Sequence, residues 1–309
     1  MISEKHLLGL EGYPAEYIET IIETAFGFRE VLERPIKKVP SLQGKTIVNL
    51  FYEDSTRTRI SFELAQKRLS ADSINFSASS SSVKKGESFK DTVQNLEAMK
   101  IDAIVMRHPY PGAPLHLTKF VDAVVINAGD GTHEHPTQAI LDMMSLKEHF
   151  GRIKGLKIGI IGDILHSRVA LSNIHGLKSM GAEVTLCSPP TLIPKDIHKL
   201  GVNISHDIDE VMDWADSINV LRIQMERMGV GLFPSTREYR NLFGITHERL
   251  DQHDKKLVIM HPGPMNRGVE IDSNVADSPQ AIILDQVLNG VASRMAILYL
   301  LLGGKQEAI

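Results

Sequence analysis

Little in this chain could cross-link it, anchor it or hold a polyanion. Only one of its 309 residues is cysteine, Cys187, so no disulfide can close within it. Its place in the apolar stretch AEVTLCSP suits a buried strand position rather than a reactive thiol. Basic charge is also short, with 34 lysines and arginines against 38 acidic residues and a formal net charge of -4. That balance excludes an overall field for nucleic acid or an anionic membrane, so any anion site must be a local concentration of cations. The most apolar run near the C-terminus, MAILYLLLGG, is too short to span a bilayer. MISEKHLLGLEGY at the N-terminus lacks the charged, apolar, small-residue order of a signal peptide. The expectation is a soluble, cytoplasmic protein. No repeat with a solenoid period is present. No dinucleotide fingerprint is present either, since Gly159-x-x-Gly162 falls short of G-x-G-x-x-G, and no nicotinamide cofactor is expected.

What the chain does have is alternation. With 42% hydrophobic residues it can bury a full core, and its length suits two domains of ordinary size. Ile- and Val-rich runs occur at Thr46 to Phe51, Ala103 to Met106, Val121 to Ile126, Lys157 to Ile161, Glu183 to Cys187, Ser217 to Leu221 and Lys256 to Met260. Stretches with helical spacing separate them, such as Ile60, Leu64 and Leu69. Continuously apolar strands alternating with helices predict an α/β protein with parallel sheets covered on both faces. A boundary is expected near Gly151 to Gly155, and a last helix over about Pro279 to Leu302. The serine-rich piece Ser77 to Ser88 reads, by composition, as a polar loop.

Ligands of open α/β sheets bind at the carboxyl ends of strands, so the residues following each apolar run carry the information. After TIVNLF comes Ser55-Thr56-Arg57-Thr58-Arg59; after AIVM, Arg107-His108-Pro109; after VDAVVI, a loop ending in His133-Glu134-His135-Pro136-Thr137-Gln138. After KIGII come Asp163, His166 and Arg168; after SINVL, Arg222 and Gln224; after KLVIM, His261-Pro262-Gly263-Pro264. If a helix starts near Thr58, its amides and positive dipole end join the hydroxyls of Ser55 to Thr58 and the Arg57 fork in an anion cradle suited to phosphate. Plain helix capping by Ser55 or Thr56 is the alternative. Pro136 suits a first helical position, which puts His135 and Gln138 on one face of that turn. A histidine there is biased to the neutral form and to donating toward a polarised carbonyl. His133 reads as plain loop. His133-x-His135 lacks a suitably spaced third ligand, so no metal is expected. Arg222 and Gln224 flank one residue, so in extended backbone they face the same side.

Assembled, these motifs resemble the aspartate/ornithine carbamoyltransferase superfamily, and within it the catalytic chains that use aspartate. The resemblance runs from FYEDSTRTRISFE through SSVKKGES, MRHP, GDGTHEHPTQAILD, GIIGDILHSRVALS and Arg222-x-Gln224 to HPGPMNRGVEI, nearly the whole chain in order. Ornithine enzymes are expected to carry His-Cys-Leu-Pro where this chain has His261-Pro262-Gly263-Pro264, and to lack the lysine supplied here as Lys85. Lys85, Arg168 and Arg222 form a cationic set that suits two carboxylates and would repel an ornithine ammonium. One departure is Gly263, where the family's best-known members have leucine; the contact implied there is a main-chain carbonyl, so the role survives the change.

The resemblance implies an α/β fold of two doubly wound domains, each a mainly parallel sheet covered by helices, with the active site in the cleft between them. It places the carbamoyl phosphate-binding domain at residues 1–136 with a returning C-terminal helix at about 288–309, the aspartate-binding domain at 150–287, and a connecting helix at 137–149. It implies transfer of a carbamoyl group from carbamoyl phosphate to the α-amine of L-aspartate, early in pyrimidine (UMP) biosynthesis; a transcarbamoylase acting on another amine such as ornithine is the alternative. By resemblance Ser55, Thr56, Arg57, Thr58 and Arg107 take the phosphate, and Thr58, Arg107 and His135 act on the carbonyl oxygen. Gln138 with the backbone from Pro262 through Gly263 to Pro264 takes the amino group, and Lys85, Arg168, Arg222 and Gln224 take aspartate. A homotrimer is implied, with Ser81 and Lys85 reaching the neighbouring subunit's site. Regulatory chains or dihydroorotase are further partners such chains can have, while no cofactor, metal, nucleic acid or membrane is implied.

Overall fold

The computed structural model describes residues 4–77, 88–225, 232–253 and 255–303. The chain divides into two compact units, Met1–Met144 with Leu288–Ile309, and Ser145–Val287. In chain order the first holds α1 (Ala15–Glu33), β1 (Thr46–Phe51), α2 (Thr56–Arg68), β2 (Asp72–Ser77), α3 (Phe89–Ala98), β3 (Ala103–His108), α4 (Ala113–Leu117), β4 (Val124–Asp130) and the start of α5 (Pro136–Phe150). The second holds β5 (Lys157–Ile161), α6 (Arg168–Ser179), β6 (Glu183–Cys187), β7 (Asn203–Ser205), α7 (Ile208–Trp214), β8 (Ser217–Val220), α8 (Thr236–Phe243), α9 (His247–Leu250), β9 (Val258–Met260) and α10 (Ser273–Ala276). The divisions fall inside α5 and inside the last helix, α11 (Ile283–Leu302).

Each unit carries one all-parallel sheet, ordered β2-β1-β3-β4 in the first and β7-β6-β5-β8-β9 in the second. Both are doubly wound, because the order reverses direction between β1 and β3 and again between β5 and β8. Crevices open at such reversals at the carboxyl ends of the strands, and they place the loops after β1, β3, β5 and β8 for binding. In β1 every residue from Ile47 to Phe51 is buried, as a strand covered on both faces requires. Its one buried polar residue, Asn49, is satisfied by Gln66 of α2 at 3.0 Å and Asn75 of β2 at 2.9 Å. In the second unit, Ile161, Cys187, Ile218, Val220 and Ile259 pack with Val211, Met212 and Tyr239 in one core. Burial pushes the Cys187 thiol up to about 12, which keeps it protonated and inert.

Two strands depart from the expected set. β2 and β7 are edge strands, mixed in composition and partly exposed, so neither presents an apolar run. The third run, which forms β4, also lies later than expected, at Val124–Asp130 instead of Val121 to Ile126. The last helix starts at Ile283 because the preceding residues run extended beside β9: Ile259 N–H donates to Gln280 and Ile282 N–H donates to Ile259. Gly159 within KIGII and Gly162 just after it both serve packing. A Cβ at Gly159 would come within 2.8 Å of Val211, and one at Gly162, where φ is +126°, would meet the Leu221 carbonyl at 2.5 Å.

Candidate functional site

In the first unit, α2 begins at Thr56, two residues before the expected start, with Ser55 at the capping position. The Ser55 hydroxyl makes no capping hydrogen bond, so ordinary capping is not its role. Ser88, Ser167, Ser235 and Thr246 do cap their own helices. The first turn of α2 contains no acidic residue, so its amides and dipole face the Ser55 to Thr58 segment uncompensated. Thr56 and Arg57 are exposed and Thr58 is buried. Arg59 lies outside this set, one turn before Glu63, whose carboxyl Lys67, Asn75 and then Arg59 draw below its ordinary value.

Arg107 is at the end of β3, where pairing with β4 slips: Met106 faces Asn127, but His108 faces Asp130. Such an irregularity re-aims a side chain. The guanidinium is held by Glu53 at 3.2 Å and by the Ala128 carbonyl at 3.2 Å. Glu53, in the loop after β1, is a support for Arg107 that no residue pattern in the sequence marks.

Pro136 opens α5, as its fixed φ favours, and His135 just before it is buried. Gln138 N–H donates to the His135 carbonyl at 2.9 Å, fixing the two in one turn. Thr137 Oγ1 lies 3.4 Å from His135 Nδ1; a hydroxyl donating there leaves the ring proton on Nε2. The Gln138 amide gives an N–H to Asp142 at 2.9 Å, one turn along α5. The loop before α5 is gathered by Asp130, which accepts from Gly112 N–H at 2.7 Å, Asn127 at 2.8 Å and Glu134 N–H at 3.1 Å. His133 is therefore not plain loop, for its ring nitrogen pairs with Asp130 at 3.1 Å. Glu134 is buried and its carboxylate takes the N–H groups of Leu10 at 2.8 Å and Glu11 at 3.1 Å. Among the described residues no group of three or more His, Cys, Asp or Glu is arranged to hold a metal ion.

In the second unit, Arg168 is the buried first residue of α6, behind Ser167, which caps the helix through Ala170 N–H at 3.2 Å. Beyond β8 the alternation continues, with Leu221 and Ile223 buried and Arg222 and Gln224 partly exposed, so this pair does face one side. Asp163, wholly buried, joins the two loops: it accepts from His166 N–H at 3.1 Å, pairs with the His166 ring at 2.9 Å, and accepts from Gln224 N–H at 3.2 Å. The Gln224 amide also donates to the His166 carbonyl at 2.9 Å. The loop after β9 is shaped from beneath by His261, whose Nδ1 accepts Gly263 N–H at 2.8 Å and whose Nε2 lies 3.3 Å from the buried Glu270 carboxylate. Gly263 adopts φ +63°, and the bond from it to Pro264 is cis. Asn266 ties this loop to the segment after β8 through the Ile223 carbonyl at 3.0 Å. Ser81 and Lys85 lie outside the described residues.

Residues 5–148 match the family model described as the carbamoyl-P binding domain of aspartate/ornithine carbamoyltransferase, and residues 154–301 match its Asp/Orn binding domain. The chain is 61% identical to the aspartate carbamoyltransferase catalytic subunit of Cytophaga hutchinsonii, over 98% of this chain and 99% of the relative. Its fold is similar to that of aspartate transcarbamoylase from Trypanosoma cruzi in complex with N-(phosphonacetyl)-L-aspartic acid, with TM-score 0.87 and 31% identity, covering 95% of this chain and 94% of the other. It is also similar to ornithine carbamoyltransferase from Pyrococcus furiosus, with TM-score 0.85 and 30% identity over 97% and 98% of the two chains.

Proposed function

Because the chain belongs to the aspartate/ornithine carbamoyltransferase family, we infer that it transfers the carbamoyl group of carbamoyl phosphate to the α-amine of L-aspartate, releasing phosphate. The fold does not select the amine, since aspartate and ornithine enzymes match it about equally well, with TM-scores of 0.87 and 0.85. What selects aspartate is identity of 61% with a chain of that name, together with the cationic pair Arg168 and Arg222 in the unit that matches the amino-acid-binding model. Their guanidiniums suit the two carboxylates of aspartate and oppose a second ammonium.

The observation that supports the reading is topological: Thr58, Arg107 and His135 follow or end β1, β3 and β4, parallel neighbours in one sheet, and so lie toward its carboxyl edge in the unit that matches the carbamoyl phosphate-binding model. Attack by the amine on the carbamoyl carbon produces a tetrahedral species with negative charge on the former carbonyl oxygen. Donors already placed where that charge develops lower the barrier without a covalent enzyme intermediate. Thr58, Arg107 and the Nε2 proton of His135 are those donors. Ser55, Thr56, Arg57 and the first-turn amides of α2 hold the phosphate and stabilise it as it leaves. The proton lost by the amine passes to the departing phosphate, so no separate enzyme base is required. Gln138 with the Pro262, Gly263 and Pro264 backbone orients the amino group, and Arg168, Arg222, Gln224 and Lys85 orient aspartate. Holding both substrates also removes much of the entropic barrier.

The product, N-carbamoyl-L-aspartate, places the reaction early in pyrimidine synthesis. The assembly is a homotrimer in which Ser81 and Lys85 serve a neighbouring subunit's site, with regulatory chains or dihydroorotase as further partners, in the cytoplasm. Among the described residues no helix is long and apolar enough to cross a membrane. One assay tests the activity: carbamoyl phosphate is supplied with aspartate, ornithine, putrescine or N-acetylornithine, and phosphate release is followed. Release with aspartate alone is expected. Release with another amine reassigns the substrate, and release with none removes the enzymatic reading.

A further inference from the structure

Gln138 presents an amide, and an amide is two-faced: one side accepts, the other donates, and little separates the two by shape. A substrate amino group brings only N–H donors to it, so the wrong face would set donor against donor. Something must choose the face. Asp142, one turn further along α5, is wholly buried and lies 2.9 Å from Gln138 Nε2. An ionised carboxylate only accepts, so it fixes the NH2 side of Gln138 toward itself and leaves Oε1 as the acceptor.

Resting on the reading of Gln138 as the contact for the amino group of carbamoyl phosphate, we propose that Asp142 is the positioning residue that turns the Gln138 oxygen toward that amino group. The charge it needs for this is supported from α11. Arg294 there is almost fully buried, with its guanidinium 5.1 Å above the ring of Phe62 and Nη1 donating to the Gly290 carbonyl at 2.8 Å. Phe62 lies one turn after Thr58 on α2, so the buried cation packs beneath the same helix that forms the phosphate cradle. Burial pulls the Arg294 guanidinium down to about 10, and Asp142 is the charge that opposes the fall. The attraction is reciprocal: the cation likewise favours an ionised Asp142.

The test compares two ligands of the same shape, carbamoyl phosphate and acetyl phosphate, in which a methyl replaces the amino group. Binding of each is measured by calorimetry without aspartate, in the wild type, Gln138→Ala, Asp142→Ala and the double variant. Asp142→Ala is expected to weaken carbamoyl phosphate about five- to tenfold, the scale of one oriented hydrogen bond, and to change acetyl phosphate less than about twofold. In the Gln138→Ala background it adds no further loss. Equal weakening of both ligands, or of neither, overturns the proposal. Gln138→Ala alone separates the two levels: if it does not discriminate the ligands, the reading of Gln138 fails, whereas if it discriminates and Asp142→Ala does not, only the positioning role fails. Should Asp142→Ala not fold, Asp142→Asn keeps the size while offering either face to Gln138. It is expected to show the same selectivity at about two- to threefold, and equal change in both ligands would overturn the proposal there too.

Discussion

His133 and Asp130 form a pair across one turn of loop, ring nitrogen to carboxylate oxygen at 3.1 Å, with the histidine half-buried and the aspartate buried. The hydrogen bond to Asp130 raises the His133 pKa. Burial works to raise that of Asp130, but His133, Asn127 and the Gly112 amide outweigh it and the net shift is downward. A raised histidine stabilises the fold below its ordinary value, about 6.5, and loses that contribution as pH rises through its folded value. A lowered aspartate contributes above its ordinary value, about 3.9, and loses it as pH falls through its folded value. The pair is thus strongest between those two limits. In urea unfolding, the stability gap between wild type and His133→Asn should be wider at about pH 5 than at about pH 8.5; an identical gap at both would show that the pair does not titrate this way.

His135→Ala removes a donor to the developing oxyanion. Turnover should fall on the order of 10²-fold, with weaker effects on substrate binding. Steady-state kinetics at saturating substrates checks this, and unchanged turnover would remove His135 from the mechanism.

Arg222→Ala should act on aspartate instead. Loss of one charge-assisted contact is expected to raise the aspartate KM by about ten- to a hundredfold. An aspartate KM that stays put refutes the assignment of Arg222.

A shared site predicts complementation. Lys85→Ala and Arg57→Ala chains, each inactive alone, should regain partial activity when mixed and allowed to exchange subunits. Absence of recovery despite demonstrated exchange would argue that each chain supplies its own Lys85.

Gly290→Ala should destabilise the chain although alanine favours helices. A Cβ there would stand 2.7 Å from Arg294 Nη1 and 3.2 Å from Leu141, with the guanidinium held in place by burial. Overpacking of this kind costs about 1–3 kcal/mol, readable as a lower urea midpoint with unchanged slope. A midpoint at or above wild type would mean that the guanidinium has another place to go.

The strands that could be read from the sequence are those buried on both faces, because burial demands a continuous apolar run; β1, β5 and β6 match their runs residue for residue. The edge strands β2 and β7 carry no such demand and left no such trace. The candidate substrate residues were legible because they follow strand ends, where backbone geometry alone dictates the position. Their supports were not. Glu53 acts on Arg107 and Asp163 on Gln224, both distant in sequence, and even for Glu270, which sits nine residues from His261, nothing local distinguishes a carboxylate that braces a loop from one that faces water. Asp142 is the exception, since its spacing of one helical turn from Gln138 could have been noticed.

The Ser55 hydroxyl, which makes no capping bond to α2, has a thermodynamic meaning beyond recognition. A serine spent on capping would stabilise that helix by about 1 kcal/mol. An anion docked on the same amides supplies the missing cap, and because it binds the folded chain alone, its binding energy adds to folding stability. On the proposed phosphate site, carbamoyl phosphate or phosphate bound there would therefore raise the chain's resistance to unfolding.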